Sequence, residues 1–241
     1  MRTVLLALLL LAAPAAAEDS LSAGLSQDYL QITSTFHGSE LTVFGAVGNP
    51  DGDIVVVVRG PDTPMTVRRK DHIAGLWINN ARARMTLPSY YFVAATRPLH
   101  AIADADTLAR YELGLGNLHP AIRASDGDPA PYATAVVRRQ GQSGLYVEHD
   151  SGVEMQSATL FRVHVPIPAA VPRGSYTVEV YLFRGGEVTA AQSTPFYIDQ
   201  AGLERQLHLF AHLAPLIYGF CTVLIAVALG WLSTFFFRSR T

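Results

Sequence analysis

A chain of 241 residues with 49% apolar and 16% charged side chains is too apolar for a disordered polymer and long enough for one large or two small domains. A net charge of −2 without any long basic run or interleaved aromatic pattern argues against a nucleic-acid binder. Cys221 is the one cysteine, which excludes an intrachain disulfide, so the fold must hold by its core.

The first residues carry an export pattern. Met1-Arg2 is a short positive start, residues 4–13 are apolar but too short to span a bilayer, and Ala15-Ala16-Ala17 after Pro14 is a small-x-small cleavage site. Residues 1–17 are expected to be a signal peptide and Glu18 the first mature residue. Arginine outnumbers lysine 17 to 1, which points to a GC-rich bacterial genome and hence to the periplasm as the destination.

Short β-rich runs follow at residues 31–36, 41–47, 53–59, 65–70, 76–79, 81–87 and 90–96, separated by turn residues such as Asn49-Pro50-Asp51-Gly52 and Pro88-Ser89. Residues 54–58, Ile-Val-Val-Val-Val, have no polar face, as a central strand covered on both sides requires. Leu41, Val43, Gly45 and Val47 alternate instead with Thr42, Phe44 and Ala46. Helical spacing replaces this pattern at residues 104–115 and 132–140, around a turn-rich stretch at 117–131, so residues 98–143 read as a helical insertion. Strands return at 145–149, 153–155, 160–167, 176–184 and 187–198, with Gly185-Gly186 closing a hairpin. The expected fold is mainly β: an immunoglobulin-like antiparallel β-sandwich over residues 18–200, interrupted by the short helical insertion.

Residues 201–212 read as a juxtamembrane helix leading into 213–237, a run of 25 uncharged, mostly apolar residues. At about 1.5 Å of rise per residue that run reaches roughly 37 Å, enough for a hydrocarbon core of about 30 Å. One C-terminal transmembrane helix is therefore expected, with Arg238 and Arg240 in a cytoplasmic tail, residues 238–241, by the positive-inside rule. The expected location is the inner, plasma membrane of a bacterium, single-pass, with the N-terminal domain periplasmic.

Catalytic signatures are missing. The sequence has no Gly-x-Ser-x-Gly elbow, phosphate-cradling loop, zinc-protease helix or Cys-x-x-Cys, so no catalytic residue, cofactor or metal is assigned and a non-enzymatic role is expected. His149, Asp150 and Ser151 adjoin in sequence, but triads converge in space and this is read as a polar loop. His208 and His212, four apart on a helix, could share a metal or haem, although no further ligand is evident. Trp77, Tyr90, Tyr91 and Phe92 could line a groove, whereas strand aromatics more often fill a core. Charge is the sharper signal. Residues 59–97 carry seven basic side chains against Asp62 and Asp71, within a mature body that is otherwise acidic. On the strand readings Thr66, Arg68 and Lys70 point one way, and Arg82 and Arg84 share a face. Should those faces adjoin, Arg68, Lys70, Arg82 and Arg84 form an anion site or a dock for an acidic partner.

The stretches QITSTFHG (31–38), LTVFGA (41–46), DIVVVVRGP (53–61), PSYYFVA (88–94) and YTVEVYLF (176–183) resemble the motifs of an alphaproteobacterial family of transmembrane proteins without an assigned activity. The resemblance covers nearly the whole mature chain. It implies a signal peptide, a periplasmic domain and one C-terminal helix, and it carries over no catalytic residue. Such proteins are associated with sulfite-exporter-type permeases, which would suit a basic patch facing a small oxyanion. The expected partners are thus the lipid bilayer and an integral-membrane protein. The expected role is a membrane-anchored periplasmic accessory protein, with a small-anion-binding module as the alternative and an enzyme with scattered site residues as the least favoured reading.

Overall fold

The computed structural model describes residues 20–33, 36–73, 75–124, 128–200, 211–213 and 215–238. The expected signal peptide and residues 201–210 of the expected juxtamembrane helix lie outside these. Two compact units are present, Met1–Leu30 with His37–Ile198, and Gln31–Phe36 with Asp199–Thr241.

The strands form three sheets. The first runs in the order β1 (Leu21–Leu25), β3 (Gly38–Val47), β11 (Leu160–Pro168), β10 (Val153–Met155) and is antiparallel throughout. The second runs β2 (Tyr29–Ile32), β13 (Glu187–Gln200), β12 (Gly174–Arg184), β4 (Asp53–Arg59), β7 (Tyr91–Ala95), β9 (Tyr146–His149). The third is β5 (Asp62–Ile73), β6 (Leu76–Pro88), β8 (Ala121–Ala124). Four helices are described: α1 (Leu99–Ile102), α2 (Ala105–Arg110), α3 (Ala130–Gln142) and α4 (Pro215–Arg238).

The all-apolar strand lies where its composition requires. Between β12 and β7, all five residues from Ile54 to Val58 are 0% exposed. Val55 and Val57 pack with Tyr91, Val93, Leu108 and Leu113, the last two from the helical segment. Alternation turns Ile54, Val56 and Val58 to the opposite side. The first sheet lies on that side. Strand β10 approaches β4, and the Tyr90 hydroxyl donates to the Pro166 carbonyl at 2.5 Å. The Gln192 amide clamps Ala23, accepting from its N–H at 2.7 Å and donating to its carbonyl at 2.8 Å. Leu41, Val43 and Val163 are fully buried, as the alternation of β3 predicts, while Phe44 on the other face is exposed. Gly45 is required by close approach. A Cβ there would lie 2.5 Å from both the Phe161 ring and the Ser22 carbonyl oxygen.

Several expectations are corrected. The sheets are not wholly antiparallel: β7 and β9 pair in parallel, Tyr91 against Tyr146 through Ala94 against His149. Parallel neighbours need a long crossover, and the insertion between them supplies it. That insertion is not only helical either, since β8 lies within it and pairs antiparallel with β6. Runs 76–79 and 81–87 are one strand, β6, whose ladder with β5 shifts register between Arg69 and Lys70. β1 had no sequence counterpart, and β2 starts before residue 31 and ends at Ile32. Tyr90, Tyr91 and Phe92 line no open groove, being 0% exposed in the core.

The insertion is clamped to β4 at both ends of that strand. At its start Asp53 takes a bidentate pair from Arg97, Nε at 2.7 Å and Nη2 at 2.6 Å, with the Thr96 hydroxyl donating at 3.0 Å. At its end the Arg59 guanidinium donates to Glu179 at 2.9 Å and to the carbonyls of Tyr111 and Glu112 at 2.7 and 3.2 Å. Glu112 sits at φ 52°, in the left-handed region. Its carbonyl also accepts from the Tyr91 hydroxyl at 2.8 Å, and that hydroxyl in turn accepts from the Gly114 N–H at 2.9 Å.

The third sheet is two-faced. One face places Ala83, Met85 and Leu87 against Tyr132 and Val136 of α3, with Met65, Val67 and Ile122 packed alongside. The opposite face is exposed and includes Arg68, Arg82, Arg84 and Arg123.

In the second unit α4 is 24 residues long. Its described side chains are predominantly apolar and exposed, Leu216 at 88% and Trp231 at 74%. The Thr222 hydroxyl turns back to the Tyr218 carbonyl at 2.7 Å. Side chains beyond Trp231 fall outside the description, and among the described residues no helix is long and apolar enough to cross a membrane.

Two predictions follow from the clamps and the two-faced sheet. The hydrogen bond from Arg97, helped by that from Thr96, holds the Asp53 carboxyl below its ordinary value of 3.8 against the opposing effect of burial. A depressed folded-state value stabilises the fold above the unfolded pKa, and that contribution is lost as pH falls through the folded value. Asp53→Asn is therefore expected to lower the melting temperature at neutral pH and to flatten its decline below about pH 4. Parallel acid limbs in the two proteins would refute this. Met85→Ala should cost about 2–5 kcal/mol, whereas Arg84→Ala should stay within about 0.5 kcal/mol, both read by chemical denaturation of the full chain.

Candidate functional site

The cations singled out by sequence come together through strand register. Arg68 of β5 stands opposite Arg82 of β6, and Thr66 stands opposite Arg84. Directly opposed residues share a face, with Cβ atoms about 4.5–5.5 Å apart. Lys70 follows Arg68 two residues on and keeps that face by alternation along β5, opposite Asn79 across the register shift. The structure adds Arg123, paired in register with Arg84 from β8. Sequence reasoning missed it because Ala121–Ala124 lies in a turn-rich stretch and is too short for alternation to register; the apolar-polar step Ile122-Arg123 was the only signal.

All five cations are exposed. Among the described residues, none gives Arg68, Lys70, Arg84 or Arg123 a hydrogen-bond or ion-pair partner. Asp62 is the acid nearest in sequence on the same face of β5, six residues from Arg68. Like charges placed opposite one another across a ladder destabilise it, by up to about 1 kcal/mol per pair. The arrangement of Arg84 against Arg123 thus carries a cost that an anion laid over the face would remove. A groove of about 270 Å³ near the Pro88 end of the sheet takes in Arg59, Asp62, Glu112 and His119 but none of the five cations.

The other expectations fare differently. His149 ends β9, its ring 5.8 Å from that of Phe92, and among the described residues no hydrogen bond links it to Asp150 or Ser151. His119 lies 4.0 Å from Glu112, and His164 pairs with Glu40 on the exposed face of the first sheet. His100 lies in a separate cleft with Asp104. Each of these three histidines therefore stands near acids without a second histidine beside it among the described residues. No group of three or more His, Cys, Asp or Glu suited to a metal is found among the described residues. His212 is helical and exposed, while His208 lies outside the described residues.

Tyrosine hydroxyls near Arg59 are structural. Burial pushes Tyr181 up to about 12, with the Glu179 carboxylate adding to the shift. Burial likewise raises Tyr91, which keeps its proton and bridges Gly114 and Glu112. A mainly apolar groove of about 480 Å³ runs over the outer face of the first sheet between Gly24, Phe44, Ala46 and Leu160. It contains no acid or base apart from Arg162, which is paired with Glu154 at 2.8 Å.

Comparison with known proteins gives one family and little beyond it. No curated protein matches the sequence. Among solved structures, the sporulation control protein Spo0M from Bacillus subtilis is similar over 81% of this chain and 56% of its own, at 11% identity and a TM-score of 0.29. The chain thus spans little more than half the length of that protein. The model of a family described as "Putative transmembrane protein" matches residues 20–239, from β1 through the last turn of α4. The match covers nearly the whole chain, and the protein belongs to that alphaproteobacterial transmembrane family.

Proposed function

We propose that the protein is a non-enzymatic accessory subunit, exported by residues 1–17 and tethered to the outer side of the inner membrane by residues 213–237. Its β-rich body, read as an immunoglobulin-like sandwich of the first two sheets, meets an integral-membrane partner of the sulfite-exporter permease type. One observation carries the tether: the described side chains of α4 are apolar and exposed one after another. Exposed apolar surface in water costs about 25 cal/mol per Å², and lipid removes that cost. The return of the Thr222 hydroxyl to the helix backbone fits the same setting, because lipid offers no hydrogen-bond partner. In the helix, Ala226 and Gly230 form a small-xxx-small pair suited to packing on another membrane helix.

The second reading is a module for a small oxyanion, favoured by the register that gathers Arg68, Lys70, Arg82 and Arg84 beside Arg123. Guanidinium groups bind sulfur and phosphorus oxyanions through paired N–H donors.

Purification in mild detergent at native expression should recover a multispan partner, and a protein recovered alone would count against the accessory role. Carbonate washing should leave the chain in vesicles, and protease added to spheroplasts should digest its body; release or protection would remove the tether or the topology. For the second reading, millimolar sulfite, sulfate, thiosulfate or phosphate should raise the melting temperature, and Arg68→Ala with Arg84→Ala should abolish the rise. Unchanged melting with all four anions eliminates the anion module.

A further inference from the structure

The hairpin of β5 and β6 is longer than the sheet it belongs to. Strand β8 pairs only with Ala83–Thr86 of β6. The apolar cluster under α3 reaches Val67 on one strand and Ala83 on the other. Beyond those two residues the strands continue as a two-stranded ribbon. Its register runs through Arg68 against Arg82 and His72 against Trp77 to Ile73 against Leu76. At about 3.4 Å per residue, Ile73 lies roughly 20 Å past Val67. The chain turns at Gly75, whose φ of 84° favours glycine and where an added Cβ would meet nothing within 4 Å.

Composition is graded along this ribbon. Its end holds Ile73, Leu76, Trp77 and Ile78; its stem holds Arg68, Arg69, Lys70 and Arg82, with Arg84 just behind. Asp71 is the single acid from residue 68 to residue 84. A two-stranded hairpin is marginal in water by itself, and among the described residues no third strand is in register with this one beyond Ala83. An aliphatic and tryptophan end behind which cations cluster has the chemistry of an element placed in a lipid interface. Tryptophan prefers the headgroup level, and arginine and lysine are drawn to anionic lipid phosphates. Dimensions agree. Lys70 and Ile73 are three residues apart, about 10 Å along a strand, comparable to the 5–10 Å by which interfacial elements sink into a bilayer.

We propose that the β5–β6 hairpin is a membrane-contact element, its apolar end inserted among acyl chains and its basic stem on the headgroups of anionic phospholipid. The inference rests on the reading that the body faces a bilayer. It assigns the arginine face a lipid surface rather than a soluble anion.

The full chain tests it after reconstitution, without any other protein, into phosphatidylcholine vesicles with or without phosphatidylglycerol. The chain has two tryptophans, so Trp231→Phe leaves Trp77 as the sole reporter. Lipids brominated on their acyl chains should quench Trp77 in the anionic vesicles. That quenching should fall by at least about half with Arg68→Glu and Arg84→Glu, or in roughly 1 M salt, where charge attraction is screened. Melting curves of the charge-reversed chain, expected to be no lower than those of the original chain, exclude misfolding as the cause. A Trp77 quenched by iodide from water, or by neither reagent, overturns the proposal, as does lipid quenching indifferent to charge reversal and salt. Flotation with the vesicles after carbonate washing reads the tether separately: a chain that floats with Trp77 unquenched loses only the hairpin inference, and one that is stripped loses the tether as well.

Discussion

The guanidinium of Arg59 is the contact on which the arrangement of the β-rich body depends. It stands at the last position of the most deeply buried strand and reaches two carbonyls of the Tyr111–Glu112 turn as well as the Glu179 carboxylate. A charge that is only 20% exposed persists because its two terminal nitrogens donate to three oxygens, while the buried Nε is left without a partner among the described residues. The turn it holds includes a left-handed non-glycine residue, Glu112, a conformation that costs free energy and survives where surrounding bonds fix it. Arg59 and Tyr91 both bond the Glu112 carbonyl, so the strain is held by side chains of adjacent strands in one sheet.

Fixing that turn decides two further features. It returns the chain along the second sheet so that β9 can join β7 in parallel, with Glu148 accepting from the Leu115 N–H at 2.8 Å and the Tyr146 hydroxyl donating to Pro88 at 2.6 Å. It also delivers β8 to the open side of β6 and α3 to the apolar face behind it. The basic face is therefore a product of the insertion: without β8 and α3, the β5–β6 hairpin would have neither a third strand nor a buried side, and its arginines would not be displayed in a fixed plane.

Much of this was legible in the residues wherever burial dictates pattern. A strand of five β-branched residues could only be central, and Ile54–Val58 is. The alternation of β3 gave its buried face, and alternation within β5 and β6 placed the four expected cations on shared faces. What was not legible was whether those faces adjoin, because that is set by a long-range ladder and by the turn at Gly75, and neither leaves a periodic trace. Arg123 was hidden for the same reason: a four-residue edge strand is held by its partner rather than by its own propensity. The parallel β7–β9 pair escaped notice because short buried runs read alike in parallel and antiparallel sheets. Chemistry was the least legible. A surface of exposed arginines differs from an ordinary solvated face only in its register, which sequence does not carry.

Charge segregation gives the molecule its direction. The stretch from Arg59 to Arg97 is strongly basic within a body that is otherwise acidic, and the ladder gathers four of its seven cations, Arg68, Lys70, Arg82 and Arg84, on one face of one sheet while α3 seals the other. In solution such a dipole would orient the body only within a Debye length of about 8–10 Å from an anionic surface. Under the proposed tether, the body would be confined near such a surface. A modest electrostatic preference that a free protein would lose to salt and dilution then becomes an effective local concentration effect. The weakness of each exposed arginine taken singly is no objection to the proposed contact, because the proposed tether would confine the search and leave the face only the choice of orientation.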